Sequence, residues 1–338
     1  MPRLRRSDCA GPGITRRRRG RGFSYVTSDG EPVRDQGTLD RIAGLAIPPA
    51  WTAVWICGQA NGHIQAVGTD AAGRRQYLYH DAWRRSRDAA KHERVLDFAD
   101  ALPAAREIVA KDLRRRSPDR RRTLAAGFRL LDLGSFRIGT EAYATSNGTF
   151  GVATLRREHV EADPDRVRFE FPGKGAKLVD RVIRDRPLAR ALRELLARDD
   201  RHPELLAWCD DDGEWHDVSS ADLNDYVREV TGGDFTAKDF RTWNATVLMA
   251  VALADLDPPA TRRGRERTVR EAVKRVSDHL NNTPAVARSS YIDRRIVDLF
   301  MDDVTIGDVE AREDAEAAVL RMLRSPARRR RQAHSAAA

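Results

Sequence analysis

Lysine is scarce in this chain: of 60 basic residues only six are Lys, at positions 91, 111, 174, 177, 238 and 274, and the rest are Arg. A guanidinium keeps its proton at any physiological pH, so where a basic side chain must give a proton up, an ammonium with an adjustable pKa is the better candidate. Cysteine is scarcer still. Cys9, Cys57 and Cys209 stand far apart, with no Cys-x-x-Cys and no histidine cluster, which excludes a disulfide framework and a structural zinc site. No run of about 18 apolar residues occurs, and the first thirty residues hold arginines without an apolar core, so neither a membrane span nor a secretory leader is expected. The expected location is therefore the cytoplasm. A Gly-x-Gly-x-x-Gly or Walker loop, an internal repeat and a cluster of carboxylates fit for magnesium are also missing, so the sequence calls for no nucleotide, no metal and no other cofactor.

What is present is enough for real cores: 338 residues, 41% hydrophobic, allow one large domain or two ordinary ones. The net charge of +9 is unevenly placed. Residues 1–22 carry eight Arg against Asp8, and residues 324–338 carry five Arg, so the two ends supply +12 and the body is about −3. Both ends read as basic disordered tails suited to loose, salt-sensitive contact with a phosphate backbone.

Residues 23–82 read as a small β-rich domain, with β-prone runs at 51–57, 62–68 and 76–79 separated by Gly and Asp turns and a short helix from Thr38 ended by Ile47-Pro-Pro. The turn from Thr69 to His80 presents Arg74, Arg75, Gln76, Tyr77 and Tyr79 on a hairpin, a mix that binds phosphates through arginine and lays tyrosine on sugar or base edges. Taken alone it reads first as an ordinary exposed strand. Residues 83–323 read as a mostly helical domain. Leu102-Pro103 breaks its first helix, and further helices follow at 104–115 and 121–132. Strand-like 160–162 and 166–171 lead through Pro172-Gly-Lys-Gly-Ala-Lys177 into 178–183, a three-stranded antiparallel unit with Lys174 at its tip. Amphipathic helices at 187–198 and 219–230 flank an acidic loop, Asp199 to Asp217. An apolar helix from Asn244 follows Lys238-Asp-Phe-Arg241-Thr-Trp, and helices at 263–280, 291–301 and 309–323 complete the chain.

The stretch 272–300 organises the rest. Its helix stops at Asn281-Asn282-Thr283-Pro284, because Asn favours helix ends and Pro cannot continue the ladder; a short turn follows, and Tyr291 opens the next helix. The order helix, Asn-Thr-Pro, six residues, Tyr resembles the active-site segment of type IB DNA topoisomerases, in particular the compact poxvirus and bacterial enzymes. Gly73-Arg-Arg-Gln-Tyr-Leu-Tyr79 is similar to the DNA-contacting hairpin of the family's N-terminal domain. Phe136-Arg137-Ile-Gly followed by Tyr143, Gly173-Lys174, and Lys238-Asp-Phe-Arg241-Thr resemble three further motifs in the family's order. The resemblance spans about residues 23–300. It implies an α+β fold that clamps duplex DNA, with a small N-terminal antiparallel β-rich domain before the helical catalytic domain and its three-stranded hairpin unit.

The implied chemistry is phosphoryl transfer. Tyr291 is the nucleophile, Arg137 and Arg241 hold non-bridging oxygens, Lys174 protonates the leaving 5′-oxygen with Lys177 in reserve, and Asn282 donates a hydrogen bond. Tyr143 and Lys238 join the hairpin residues as DNA contacts. Asn282 departs from the histidine of poxvirus and eukaryotic members, so it cannot carry a proton; His279 is the weaker substitute. Duplex DNA is the expected partner of a monomer that needs no membrane and no nucleotide. A tyrosine recombinase and a DNA-compacting protein are the alternatives. The first usually carries His-x-x-Arg where this chain has Lys238-x-x-Arg241; the second would bind DNA with or without Tyr291.

Overall fold

The computed structural model describes residues 3–256 and 259–325. It divides into two compact units, one up to Glu93 and one from Arg94. The arginine-rich end at 326–338, read as a disordered tail from 324 onward, lies outside the described residues. Among the described residues no helix is long and apolar enough to cross a membrane.

In the first unit, β1 (Ile14–Arg19), β2 (Gly22–Val26), β3 (Thr52–Ile56), β4 (Ile64–Thr69) and β5 (Arg75–Tyr79) form an antiparallel sheet in the order β2-β1-β3-β4-β5. Helix α1 (Gln36–Gly44) starts where Asp35 accepts a hydrogen bond from the Thr38 amide at 2.8 Å, and its Ile42 joins Ile14, Val54, Ile56 and Ala66 in the core. Residues 1–22 are therefore not a disordered tail throughout. Ile14 pairs with Ile56 and is buried, and Arg16 is used structurally. Its guanidinium donates to the carbonyls of Ile47, Pro48 and Trp51 at 3.2, 3.1 and 2.6 Å and lies 4.1 Å from the centre of the Phe23 ring.

Helix α2 (Asp81–Leu113) runs on through Pro103, where the sequence led us to expect a break. A proline inside a helix costs about 3 kcal/mol, whereas burying each of Phe98, Leu102 and Val109 contributes about 1.5–3 kcal/mol, so packing wins. The division between units falls at Glu93 and Arg94, not near residue 82. The first turns of α2 belong with the first unit because Ala82 is buried and the Trp83 ring meets His63 edge-on at 4.9 Å.

The second unit continues with α3 (Arg120–Gly134), α4 (Glu141–Asn147), the meander β6 (Val160–Ala162), β7 (Arg166–Pro172) and β8 (Leu178–Arg184), then α5 (Arg186–Leu196). The acidic stretch between helices is not all loop: β9 (Ala207–Cys209) and β10 (Trp215–Asp217) pair across it in register. Helices α6 (Ser220–Thr231), α7 (Ala237–Ala254), α8 (Arg262–His279), α9 (Pro284–Ser290), α10 (Arg294–Met301) and α11 (Arg312–Arg324) follow. Helix α7 is buried nearly all round, as its apolar sequence requires. Phe240 packs edge-to-face on Phe98 and Phe128, with ring centres at 4.7 and 4.9 Å, which fixes the α7 turn that carries Arg241.

Candidate active site

Four segments meet around Tyr291. Helix α8 ends at His279, Asn281 takes a left-handed backbone at φ 52°, and the Asn282 amide turns back to the Ser277 carbonyl at 2.9 Å. Thr283 then caps α9 through its hydroxyl, with Pro284 at the first helical position, where a missing N–H costs nothing. Seven residues that the sequence offered as a turn are thus a helix, and Tyr291 closes it instead of opening the next one. The outcome is a phenol held at the end of a short rod, only 8% exposed.

Arg137 arrives from the segment after α3. Gly139, at φ 78°, lies against Gly151 so closely that a Cβ on Gly151 would sit 2.6 Å from the Arg137 carbonyl. Hydrogen bonds from Val152 to that carbonyl at 2.9 Å and from Ala153 to Ile138 at 2.7 Å lock the crossing. The Arg137 guanidinium donates from Nη1 to the Tyr291 oxygen across 3.4 Å and from Nη2 to Asn282 Oδ1. Asn282 is 9% exposed, and its Nδ2 has no partner among the described residues. A buried unpaired donor costs about 1–3 kcal/mol, so this amide is poised for an acceptor that arrives with the substrate.

Arg241 is 4% exposed and lies 5.1 Å from the centre of the Tyr291 ring. It donates to the carbonyls of Ser135 and, at 2.9 Å, Leu280, while its Nε has no partner among the described residues. Burial, with the Arg137 charge second, pulls its pKa down to about 10, which still leaves it cationic at neutral pH. Burial pushes the Tyr291 phenol up, but Arg241 and Arg137, through charge and hydrogen bonding together, outweigh it and leave the pKa below that of an ordinary tyrosine. Asp239 pairs with Arg94 at 2.8 Å instead of Arg241, so the second arginine keeps its charge for the site.

The β7–β8 tip is tied to the same place. Asn281 Nδ2 donates to the carbonyls of Lys177 and Leu178 at 3.3 and 3.1 Å, and Lys177 Nζ reaches the Asn282 carbonyl at 3.5 Å. Lys174 is exposed and lines one cleft with Arg137, Arg241, Arg181 and Asn281. Its ammonium has no hydrogen-bond or ion-pair partner among the described residues, whereas Lys177 is held by a carbonyl. Of the two lysines, Lys174 therefore presents the uncommitted ammonium.

The other expected contacts are on β5, α4 and α7. Arg75, Tyr77 and Tyr79 are exposed on β5, the two tyrosine rings stacked at 6.2 Å, whereas Arg74 and Gln76 are tied to Asp70 at 2.9–3.0 Å. Tyr143, on α4, is 58% exposed, and Lys238 sits in the first turn of α7. Sequence reasoning missed Arg181, which donates to the Gly134 carbonyl at 2.8 Å and meets His279 Nε2 at 2.9 Å; in so arginine-rich a chain nothing local marks it. Among the described residues, His202, Glu204 and Asp217 bring three possible metal ligands within 4.8 Å of one another, and none of them lines the cleft.

His279 is packed as a neutral ring. Burial, then Arg181, Arg241 and Arg312, lower its pKa to about 4, which rules it out as an acid near neutrality. Because the folded pKa lies below the unfolded value of about 6.5, its contribution to stability is full above pH 6.5 and is lost as pH falls toward 4, roughly 3 kcal/mol in all. The stability of His279→Gln, measured by urea unfolding from pH 7 to pH 4, should fall less steeply than that of the parent.

Asn282→Ala should slow single-turnover DNA cleavage by roughly 10- to 1000-fold, the usual cost of one transition-state donor. Asn282→His should keep substantial activity. An alanine variant that cleaves at the parent rate would remove Asn282 from the site.

Residues 80–302 match the family model described as the catalytic core of eukaryotic DNA topoisomerase I, and residues 22–70 match the N-terminal domain of bacterial DNA topoisomerase IB. The chain is similar to DNA topoisomerase 1B of Acanthamoeba polyphaga mimivirus, 29% identical over 93% of this chain and 95% of that one. It is also similar to DNA topoisomerase 1B of Vaccinia virus (strain Copenhagen), 22% identical over 70% and 72% respectively.

Proposed function

The chain belongs to the type IB DNA topoisomerase family, and we propose that it relaxes supercoiled DNA by cutting one strand through Tyr291, letting the duplex swivel, and resealing. One observation carries the mechanism: the Tyr291 phenol is held beside two arginines, one of them buried, next to an amide donor that has no partner among the described residues. Tyr291 gives up its phenolic proton to water, and its Oη forms a bond to phosphorus as the bond to the 5′-oxygen breaks, leaving a 3′-phosphotyrosine and a free 5′-hydroxyl. Arg137, Arg241 and Asn282 face the non-bridging oxygens, where negative charge grows. Lys174 gives its proton to the departing oxygen, and religation runs the same step backwards.

Energy stays in the phosphotyrosine linkage, so no ATP is consumed, and two guanidiniums supply the positive charge a metal ion would otherwise bring. Arg75, Tyr77 and Tyr79 contact the duplex from the first unit, with Arg74, Gln76, Tyr143 and Lys238 adding phosphate and sugar contacts. The enzyme acts as a monomer on nucleoid DNA in the cytoplasm. Incubating it with plasmids of either supercoil sign in EDTA, without ATP, should give relaxed circles in both cases. A strict requirement for magnesium or ATP would sink this reading.

A further inference from the structure

Helix α11 begins ten residues beyond the segment matched by the catalytic-core model, yet its first side chain reaches α3 and α7, the helix that carries Arg241. Arg312 Nη2 donates to Asp132 Oδ1 at 2.7 Å, to the Asp132 carbonyl at 3.0 Å and to Asn244 Oδ1 at 3.1 Å. The Asn244 amide has two ends, and only one orientation satisfies both. With its oxygen on Arg312, its nitrogen donates to the Asp132 carbonyl and to Ser135 Oγ, both at 2.9 Å. Ser135 is in turn the residue whose carbonyl receives Arg241 Nη1, and it holds a left-handed backbone at φ 53° that a serine does not favour unaided.

We propose that Arg312 is a positioning residue: by fixing the orientation of the Asn244 amide it holds Ser135, and through the Ser135 carbonyl it sets where the Arg241 guanidinium points. The inference rests on Arg241 acting at the scissile phosphate, as read above. It makes α11 part of the catalytic apparatus although it lies outside the matched core. Asp132, 1% exposed, would not be orphaned by loss of Arg312, because Arg106 binds both its oxygens at 2.9 and 2.8 Å and Arg129 lies 3.7 Å away. The carboxylate stays compensated, so the fold should survive the substitution.

The test is a double-mutant cycle on single-turnover cleavage, with DNA affinity measured alongside. Arg312→Ala should slow cleavage by roughly 10- to 100-fold, the scale of a misplaced catalytic group, and leave DNA affinity unchanged. In an Arg241→Ala background the same substitution should change the rate by less than about twofold. Equal slowing in both backgrounds would overturn the proposal, since Arg312 would then act on something other than Arg241. So would a parent-like rate for Arg312→Ala. If Arg312→Ala does not fold, Asn244→Ala taken through the same cycle decides the matter by the same criteria. If Arg241→Ala alone cleaves at the parent rate, the assignment of Arg241 falls and the coupling falls with it, an outcome recognisable from that one variant.

Discussion

Tyr291→Phe should bind duplex DNA with parent affinity and form no covalent adduct. The substitution removes one oxygen and nothing else: the ring stays in a pocket where it is 8% exposed, with the Arg241 guanidinium 5.1 Å from its centre. Lost with the oxygen are the 3.4 Å hydrogen bond from Arg137 and the only atom on this side chain able to attack phosphorus. Removing a nucleophile outright has cost on the order of 10⁶ in rate in enzymes where the loss was measured, so cleavage should drop below detection. The assay is a denaturing gel of protein mixed with 3′-end-accessible duplex. Denaturant-stable 3′-linked protein from Tyr291→Phe would move the nucleophile to another residue.

Lys174→Ala should slow cleavage of ordinary DNA by about 10²- to 10⁴-fold, the range general acids contribute, and recover near-parent cleavage when the scissile 5′-oxygen is replaced by sulfur. An alkoxide needs a proton as it leaves, whereas a thiolate, with a far lower conjugate-acid pKa, does not. Arg241→Ala should recover far less, because its partner is a non-bridging oxygen that the replacement leaves unchanged. Lys177→Ala is the informative neighbour. Its ammonium lies against the Asn282 carbonyl at 3.5 Å, which makes it a brace for the turn, so it should show no sulfur rescue. Rescue of Lys177→Ala with none for Lys174→Ala would exchange the two roles.

The candidate site could be assembled from the sequence because its residues lie in short motifs whose order survives. Arg137, Arg241, Asn282 and Tyr291 come together as that order implied. What escaped the sequence has physical reasons. The strand β1 was hidden because four consecutive arginines look like a solvated tail, and only the sheet shows that Arg16 is spent on three backbone carbonyls while Ile14 fills the core. Pro103 was read as a break because local sequence cannot weigh one lost hydrogen bond against the burial of Phe98, Leu102 and Val109. Proline had a second meaning at Pro284, where it starts a helix, and this moved Tyr291 from the beginning of one helix to the end of another. Ser135, Asn244 and Arg312 are scattered over 178 positions and carry no motif, so nothing short of the fold could join them.

The central claim is that Tyr291 becomes joined to the 3′ side of the broken strand. The most direct measurement traps the adduct on a duplex whose short leaving strand diffuses away, digests protein and DNA, and identifies the modified peptide by mass spectrometry. The expected product is the Tyr291 peptide bearing a nucleotide through its 3′-phosphate, with a 5′-hydroxyl on the released strand. A nucleotide on any other residue, or a linkage to the 5′ end, would contradict the account.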